Sequence, residues 1–344
     1  MTYGANRNSA TAALEHISTP VIIGGIGYLL WKTEWRDLMT AFMELGRTSR
    51  ILLLLVIFTN WKSLPFMWTC RIFSVVFYHN YVRKSPILGP RALFKPMISE
   101  THSPLLEIDY NFHKSNSTFF SDLDISRAHL ISYLCRPALR HMAQNVRSRL
   151  VLDPKTGAPV KGSLGVLLGA VECSFKKEVA PYKAYEMWSN ILCWDRKWLF
   201  IVTHFVPKGT TRPTEWLDPN FAQVKTWSHS DTADNWKTKI IATAISKYVF
   251  KIGRFTVHPA LILADSGMLP ERPGGWMSGE KKVGDGLVCV NDVDLSVESE
   301  WDWRRIEAQR RKGMELACHL HALEEADELF DGGSRGALAR VWPG

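Results

Sequence analysis

Hydrophobic positions follow three different rhythms along the chain. Residues 20–31 and 51–70 are apolar blocks, and the second is built on the solid run from Ile51 through Phe58. A bilayer span needs about 20 mostly apolar residues, and Asn60, Lys62 and Pro65 interrupt the second block. Three readings are open for it: a membrane-associated or re-entrant hairpin, one true span, or helices packed on a globular domain. Apolar length beside a basic flank favours membrane association. A secretory signal peptide is not expected, because the apolar run starts late and no short basic leader precedes it.

The rhythm then changes. Residues 85–100, with Pro86, Pro90 and Pro96, read as a linker, and a second domain begins near Thr101. Residues 105–109 look like a short strand. From about Ser117, the residues Phe119, Phe120, Leu123, Ala128, Ile131 and Leu134 recur at spacings of a helix, with Ser117 as its cap and Pro137 beyond its end. A second helical stretch, 139–150, carries Arg140, Arg147 and Arg149, and residues 153–157 form a turn. After Gly165 the pattern predicts strands over 166–176, 182–194 and 198–206, with Asp195-Arg196-Lys197 as a tight turn. A polar loop over 208–235 precedes a fourth strand over 239–251. Residues 269–294 are rich in Gly and Pro and read as a surface loop. An amphipathic helix over 301–329 uses Trp303, Ile306, Met314 and Leu316 among its apolar residues. No internal repeat is evident. The order of strand, long helix and antiparallel strands implies an α+β fold in which the helix covers one face of the sheet.

Composition adds a partner and removes several chemistries. The chain of 344 residues is 46% hydrophobic and 22% charged, so it buries a core. Its net charge is +8, and residues 1–100 hold eleven Lys/Arg against five Asp/Glu, which points to an anionic partner for this third. Lys62, Arg71, Arg83, Lys84, Arg91 and Lys95 are interleaved with apolar stretches, which suits a membrane surface and not nucleic acid. The six cysteines (70, 135, 173, 193, 289 and 318) form no C-x-x-C pair and no zinc-spaced cluster, so isolated buried thiols in a reducing compartment are expected. No G-x-S-x-G elbow, phosphate-binding loop or H-E-x-x-H occurs, and Gly24-Gly25-Ile26-Gly27 lacks the spacing of a dinucleotide site. Neither a metal nor a cofactor is expected.

The dense polar cluster runs from Asp109 to Phe120, between the expected strand and the long helix. A helix N-terminus offers free N–H groups and partial positive charge, which can hold a carbonyl oxygen as it becomes negative. Asp109 can then attack that carbonyl or activate water, while His113 and Asn116 position the carbonyl or the water. Blander roles stand beside these. Asp109 can cap a turn, and His113 can be a buried structural histidine. Asn116 with Thr118 fits an N-glycosylation acceptor, Asp124 can be an ordinary helix acid, and Arg127 can serve a salt bridge alone.

The pattern Asp109-x-x-x-His113-x-x-Asn116-x-x-Phe119, followed by a helix carrying Asp124 and Arg127, resembles the signature of hotdog-fold thioesterases, closest to the branch related to 4-hydroxybenzoyl-CoA thioesterase. Asp109 matches the catalytic aspartate of that family, His113 its frequent His or Gly, Asn116 its Asn, Asp124 an acidic helix position and Arg127 the Arg that often follows. Ser115 stands where Asn is commoner, and Phe119 where Tyr is usual. Cys193-Trp194-Asp195 with Lys197-Trp198-Leu199 resembles the hairpin of the same branch, and residues 111–124 and 257–270 resemble its fungal form, often linked to secondary metabolism. The resemblance covers about residues 100–265.

It implies a hotdog fold, an antiparallel sheet wrapped around a long central helix. The expected organisation is an apolar, basic region over 1–95, a thioesterase-like domain over 96–265, and a loop with a C-terminal helix over 266–344. The implied reaction is hydrolysis of a fatty or polyketide acyl thioester on CoA or an acyl carrier protein, as in chain release. The catalytic residues would be Asp109, His113 and Asn116; Asn111, Ser117, Asp124 and Arg127 would bind substrate. The implied assembly is a homodimer with sites at the interface; the apolar, basic N-terminal region separately points to an intracellular place on the cytosolic side of a membrane. The rival readings are cyclisation or dehydration of a polyketide on the same fold, and a non-catalytic module binding acyl thioesters or lipid at a membrane.

Overall fold

A computed structural model describes residues 35–83, 88–221, 237–277, 290, 293–295 and 300–320. The first apolar block, Lys84, Cys289, residues 222–235 of the polar loop and the C-terminal helix beyond 320 lie outside the described residues. The chain divides into two compact units, 1–61 and 62–344.

In the first unit, α1 (Trp35–Glu44) is followed by α2 (Arg47–Thr59). Every residue from Ile51 to Phe58 is exposed, and α2 has no buried residue. Among the described residues no helix is long and apolar enough to cross a membrane.

The second unit begins with α3 (Met67–Phe77), which runs into a π-helical turn, Tyr78–Val82. Strand β1 (Met97–His102) follows, then α4 (Asn116–Leu134), α5 (Arg136–Ala143) and the single turn α6 (Asn145–Ser148). Next come β2 (Leu164–Phe175), β3 (Ala184–Trp194), β4 (Trp198–Pro207), β5 (Ala242–Ile252) and the short β6 (Phe255–Val257). Helices α7 (Pro259–Asp265) and α8 (Trp303–Ala317) end the described chain. The sheet is antiparallel in the order β1-β3-β4-β5-β2, with β6 paired to β5. With α4 inserted between β1 and β2, this is the hotdog arrangement expected from the sequence.

Alternation along each strand separates the faces. On β4, Leu199, Ile201 and Phe205 join α4 residues Phe119, Leu123, Leu130, Ile131 and Leu134 in the core. Phe200 and Val202 point the other way and meet Ala317 and Leu320 at the end of α8. Two irregularities serve this packing. A register shift between Ile191 and Cys193 lets Leu192 and Cys193 face the α8 side while Trp194 returns to the core. The other lies at Gly169, where an added Cβ would sit 2.4 Å from the Trp198 ring.

Three sequence expectations change. Residues 85–100 are not only a linker: Leu93 and Phe94 are buried in the core, and β1 pairs with β3 as an edge strand. Residues 105–109 are a 3-10 turn, Leu105–Glu107, followed by a hairpin-like loop. The stretch 139–150 is split into α5 and α6, with Arg149 in the left-handed region after it (φ 53°).

Candidate active site

The segment between the 3-10 turn and α4 folds into a tight hairpin. Ile108 and Lys114 form an isolated antiparallel bridge. Inside it, the Asp109 N–H donates to the His113 carbonyl at 3.0 Å, and the Phe112 N–H to the Asp109 carbonyl at 3.1 Å. Such a three-residue loop needs a left-handed residue at its end, and Phe112 fills that place at φ 61° where glycine is the easy choice. Asp109 stabilises the loop further: its Oδ1 accepts the Asn111 N–H at 2.9 Å. The turn-capping role weighed from the sequence is therefore real. It uses one carboxylate oxygen; Oδ2 has no partner among the described residues. His113 Nδ1 lies 3.6 Å from Asp109 Oδ1, and its Nε2 lies 3.9 Å from Glu178.

Helix α4 starts two residues later. Its N-cap, Ser115, makes no side-chain capping bond, and its hydroxyl pairs with that of Ser117 at 3.0 Å. The Thr118 N–H donates to the Ser115 carbonyl at 3.0 Å, which leaves the N–H groups of Asn116 and Ser117, with the positive end of the dipole, for something else. Asn116 is exposed, and its side chain has no hydrogen-bond partner among the described residues. Around this point Leu105, Leu106, Tyr110 and Phe112 are all exposed, an apolar rim on a polar turn.

Asp124 and Arg127 do not join this group. At about 1.5 Å per residue they lie roughly 12 and 16 Å along the helix from Asn116. Arg127 is buried, its guanidinium bonded to Asp124 and to the Ser246 hydroxyl on β5, and it lies over the Tyr248 ring at 5.4 Å. The salt bridge weighed for Arg127 exists within α4, and the bond to Ser246 fastens that helix to the sheet.

The structure adds a cluster that sequence reasoning missed. Asp122 is fully buried on α4. Its Oδ2 accepts from Lys62 at 2.9 Å, from Lys114 at 3.1 Å and from the Tyr185 hydroxyl at 2.6 Å; its Oδ1 accepts from Arg71 at 3.0 Å. Glu107 is buried beside it, paired with Lys114 and with Lys62 at 3.1 Å. Burial by itself would raise the Asp122 pKa, but the three cations and the tyrosine hydroxyl outweigh it and hold the carboxyl well below the usual range. Burial also lowers the Lys62 pKa; Lys114 adds to this, while Asp122 and Glu107 oppose it. The signal was available: Asp122 is three residues after Phe119 and four before Ser126, on the buried stripe of the helix, where a charge needs partners.

Three of the six basic residues named from the N-terminal third are turned inward, while the side chain of Arg91 stays 42% exposed. Lys62 is buried, Arg71 is spent on Asp122, and Arg83 pairs with Asp218. Of the described cysteines, all free thiols, Cys135 and Cys193 are buried as expected, Cys173 is half-buried, and Cys70 and Cys318 are exposed, against the expectation of buried thiols.

No family model matches the chain. The thioesterase poxG of Penicillium oxalicum is 35% identical over 281 residues, covering 80% of this chain and 84% of poxG. The probable thioesterase atnL of Emericella nidulans is 33% identical, covering 82% of this chain and 88% of atnL. Among solved structures, the probable thioesterase YbaW of Escherichia coli aligns with a TM-score of 0.33 at 8% identity, over 50% of this chain and 96% of YbaW. The extent of the match to poxG and atnL, along most of the length of each, places this chain in the thioesterase family to which they belong.

Proposed function

We propose that this thioesterase hydrolyses its acyl thioester at the N-terminus of α4, with Asp109 as general base. One observation carries the reading: a half-buried carboxylate with one unbonded oxygen stands in a tight turn immediately before an uncapped helix start. Water attacks the thioester carbon while Asp109 takes its proton. The carbonyl oxygen becomes negative against the first N–H groups of α4, with Asn116 beside them. The tetrahedral intermediate collapses, and the thiolate leaves and recovers the proton from Asp109. Asn111 and Ser117 flank the same point. The exposed Leu105, Leu106, Tyr110 and Phe112 suit a fatty or polyketide acyl chain. The carrier is CoA or the phosphopantetheine arm of a carrier protein, in keeping with chain release in a secondary-metabolite pathway.

The test is thiol release from medium- and long-chain acyl-CoAs and from acyl carrier protein, wild type against Asp109→Asn. Asparagine keeps the acceptor that caps the turn and loses the base. Turnover falling by about 10²- to 10⁴-fold with an unchanged melting temperature supports the base. Unchanged turnover refutes it and leaves Asp109 as a turn cap.

Two further properties belong to this reading. A homodimer forms through the open edge of β2, where Leu167, Leu168 and Phe175 are exposed. An intracellular membrane surface, on its cytosolic side, receives the exposed apolar faces. On α3 and its flanks Phe66, Phe73, Phe77 and Tyr81 are exposed, at spacings that share one side of a helix. Co-sedimentation with vesicles checks this: Phe73→Ser with Phe77→Ser should leave the protein in the supernatant, and equal pelleting would refute the surface.

A further inference from the structure

The two residues at the neck of the catalytic turn, Glu107 and Lys114, both belong to the buried charge cluster. The neck is closed three ways. The Ser115 N–H donates to the Glu107 carbonyl at 2.8 Å, Ile108 bridges to Lys114, and the Lys114 ammonium binds the Glu107 carboxylate. Lys114 also reaches Asp122, nearly two helical turns into α4, at 3.1 Å. On the other side its backbone N–H donates to the Val179 carbonyl at 2.8 Å. One ammonium therefore joins the neck of the turn to the helix whose N-terminus receives the oxyanion.

Stability alone is a poor reason for such a group. Buried ion pairs replaced by apolar residues of similar volume are often neutral or stabilising, and their best-attested use is to fix one arrangement among several. Here the arrangement at stake is the distance between Asp109 and the first N–H groups of α4. A misplacement of about 1 Å at a reacting centre can cost on the order of a hundredfold in rate.

We propose that Lys114, acting through Glu107 and Asp122, is a positioning residue that sets the Asp109 turn against the N-terminus of α4. This rests on the assignment of Asp109 above. Lys114 is buried and does not touch substrate. Lys62 belongs to the same cluster without belonging to the turn: it bonds Asp122, Glu107 and Thr101, and its loss leaves every tie of Lys114 in place.

The experiment compares Lys114→Met with Lys62→Met in the full chain. It measures melting temperature, amide hydrogen exchange over residues 108–116, and kcat and KM on whichever acyl thioester the wild type turns over. Both variants lose one buried cation and are expected to melt lower. Only Lys114→Met should raise exchange at the Asp109 and Phe112 amides, by about tenfold or more relative to β4, and lower kcat by about 10- to 100-fold with KM within about threefold. Lys62→Met should leave both readouts within about threefold. If Lys114→Met leaves exchange in the turn unchanged, or if the two variants change in proportion to lost stability, the positioning role is refuted. Should Lys114→Met not fold, the double variant Glu107→Met with Lys114→Met removes the pair without stranding either charge, and the same outcomes apply to it. Should the wild type show no turnover, the Asp109 reading fails, while the exchange comparison still decides whether Lys114 holds the turn.

Discussion

Two aspartates thirteen residues apart show how burial decides the work of a carboxylate. Asp109 keeps one oxygen unbonded at a half-buried turn, whereas Asp122 has both oxygens committed to three cations and a phenol. Asp122→Asn would leave Lys62, Lys114 and Arg71 facing Glu107 alone. It should cost about 3–5 kcal/mol, the range for breaking a buried pair from one side. Asp109→Asn should cost almost nothing by the same urea-melt measurement, and equal losses would contradict this division. A buried histidine and a half-buried one set a pH dependence. His79 Nε2 and His129 Nδ1 share a hydrogen bond of 2.9 Å, and burial, together with neighbouring Arg side chains, lowers both pKa values from 6.5 to about 4. The folded state then binds fewer protons than the unfolded chain between these values. Stability is full above about pH 6.5 and falls as the pH drops towards 4, with a slope approaching about 1.4 kcal/mol per pH unit for each excluded proton. His129→Gln, which keeps a hydrogen-bonding amide against His79 but does not titrate, should flatten that slope in urea melts at pH 7, 6 and 5. A slope equal to that of the wild type would place the acid sensitivity elsewhere.

Among the elements, α8 rests on the tightest contact. At Gly313 an added Cβ would lie 2.3 Å from the Leu192 carbonyl oxygen, so the helix and β3 touch backbone to backbone. In a helix, Gly→Ala normally stabilises by about 1 kcal/mol. Here the methyl meets main chain that cannot rotate away, so Gly313→Ala should instead destabilise by about 1–3 kcal/mol. A stabilised Gly313→Ala would mean that α8 does not sit this closely on β3. The same elements show what could be read from sequence and what could not. The long helix was expected from about Ser117 and begins at Asn116; the strands expected over 166–176, 182–194 and 198–206 are β2, β3 and β4 with ends moved by one or two residues. These segments carry their own period because each buries a face. Strand β1 does not: Met-Ile-Ser-Glu-Thr-His has little alternation, and only its pairing with β3, more than eighty residues later, makes it a strand. The polar turn at 109–116 was legible because helix-start chemistry is local. Lys62 and Arg71 were not, because their partner Asp122 lies fifty or sixty residues away, and a lone lysine beside an apolar run reads as surface.

For the whole molecule, the question is where a second copy can attach. One face of the sheet is filled by α4, and α8 covers the other at β3. The described edges remain. Strand β1 is six residues long and polar, a poor template for association. Strand β2 has twelve residues, pairs only with β5 among the described strands, and leaves Leu167 at 49% and Leu168 at 43% exposure, two neighbours turned outward by the shift at Gly169. An exposed edge of that length and character ordinarily recruits another strand. If a second copy pairs there antiparallel, the two sheets become one and the leucines are covered from both sides. Leu167→Lys with Leu168→Lys would place four like charges across such an axis, each needing water that the interface excludes. If the edge does pair, the wild type should sediment at twice the mass of the 39.1 kDa chain and the double variant as a monomer. Thioester turnover should fall with the dimer if the partner completes the acyl site, and persist in the monomer if each chain carries a whole one. A wild type that is monomeric at micromolar concentration would leave the β2 edge to another partner altogether.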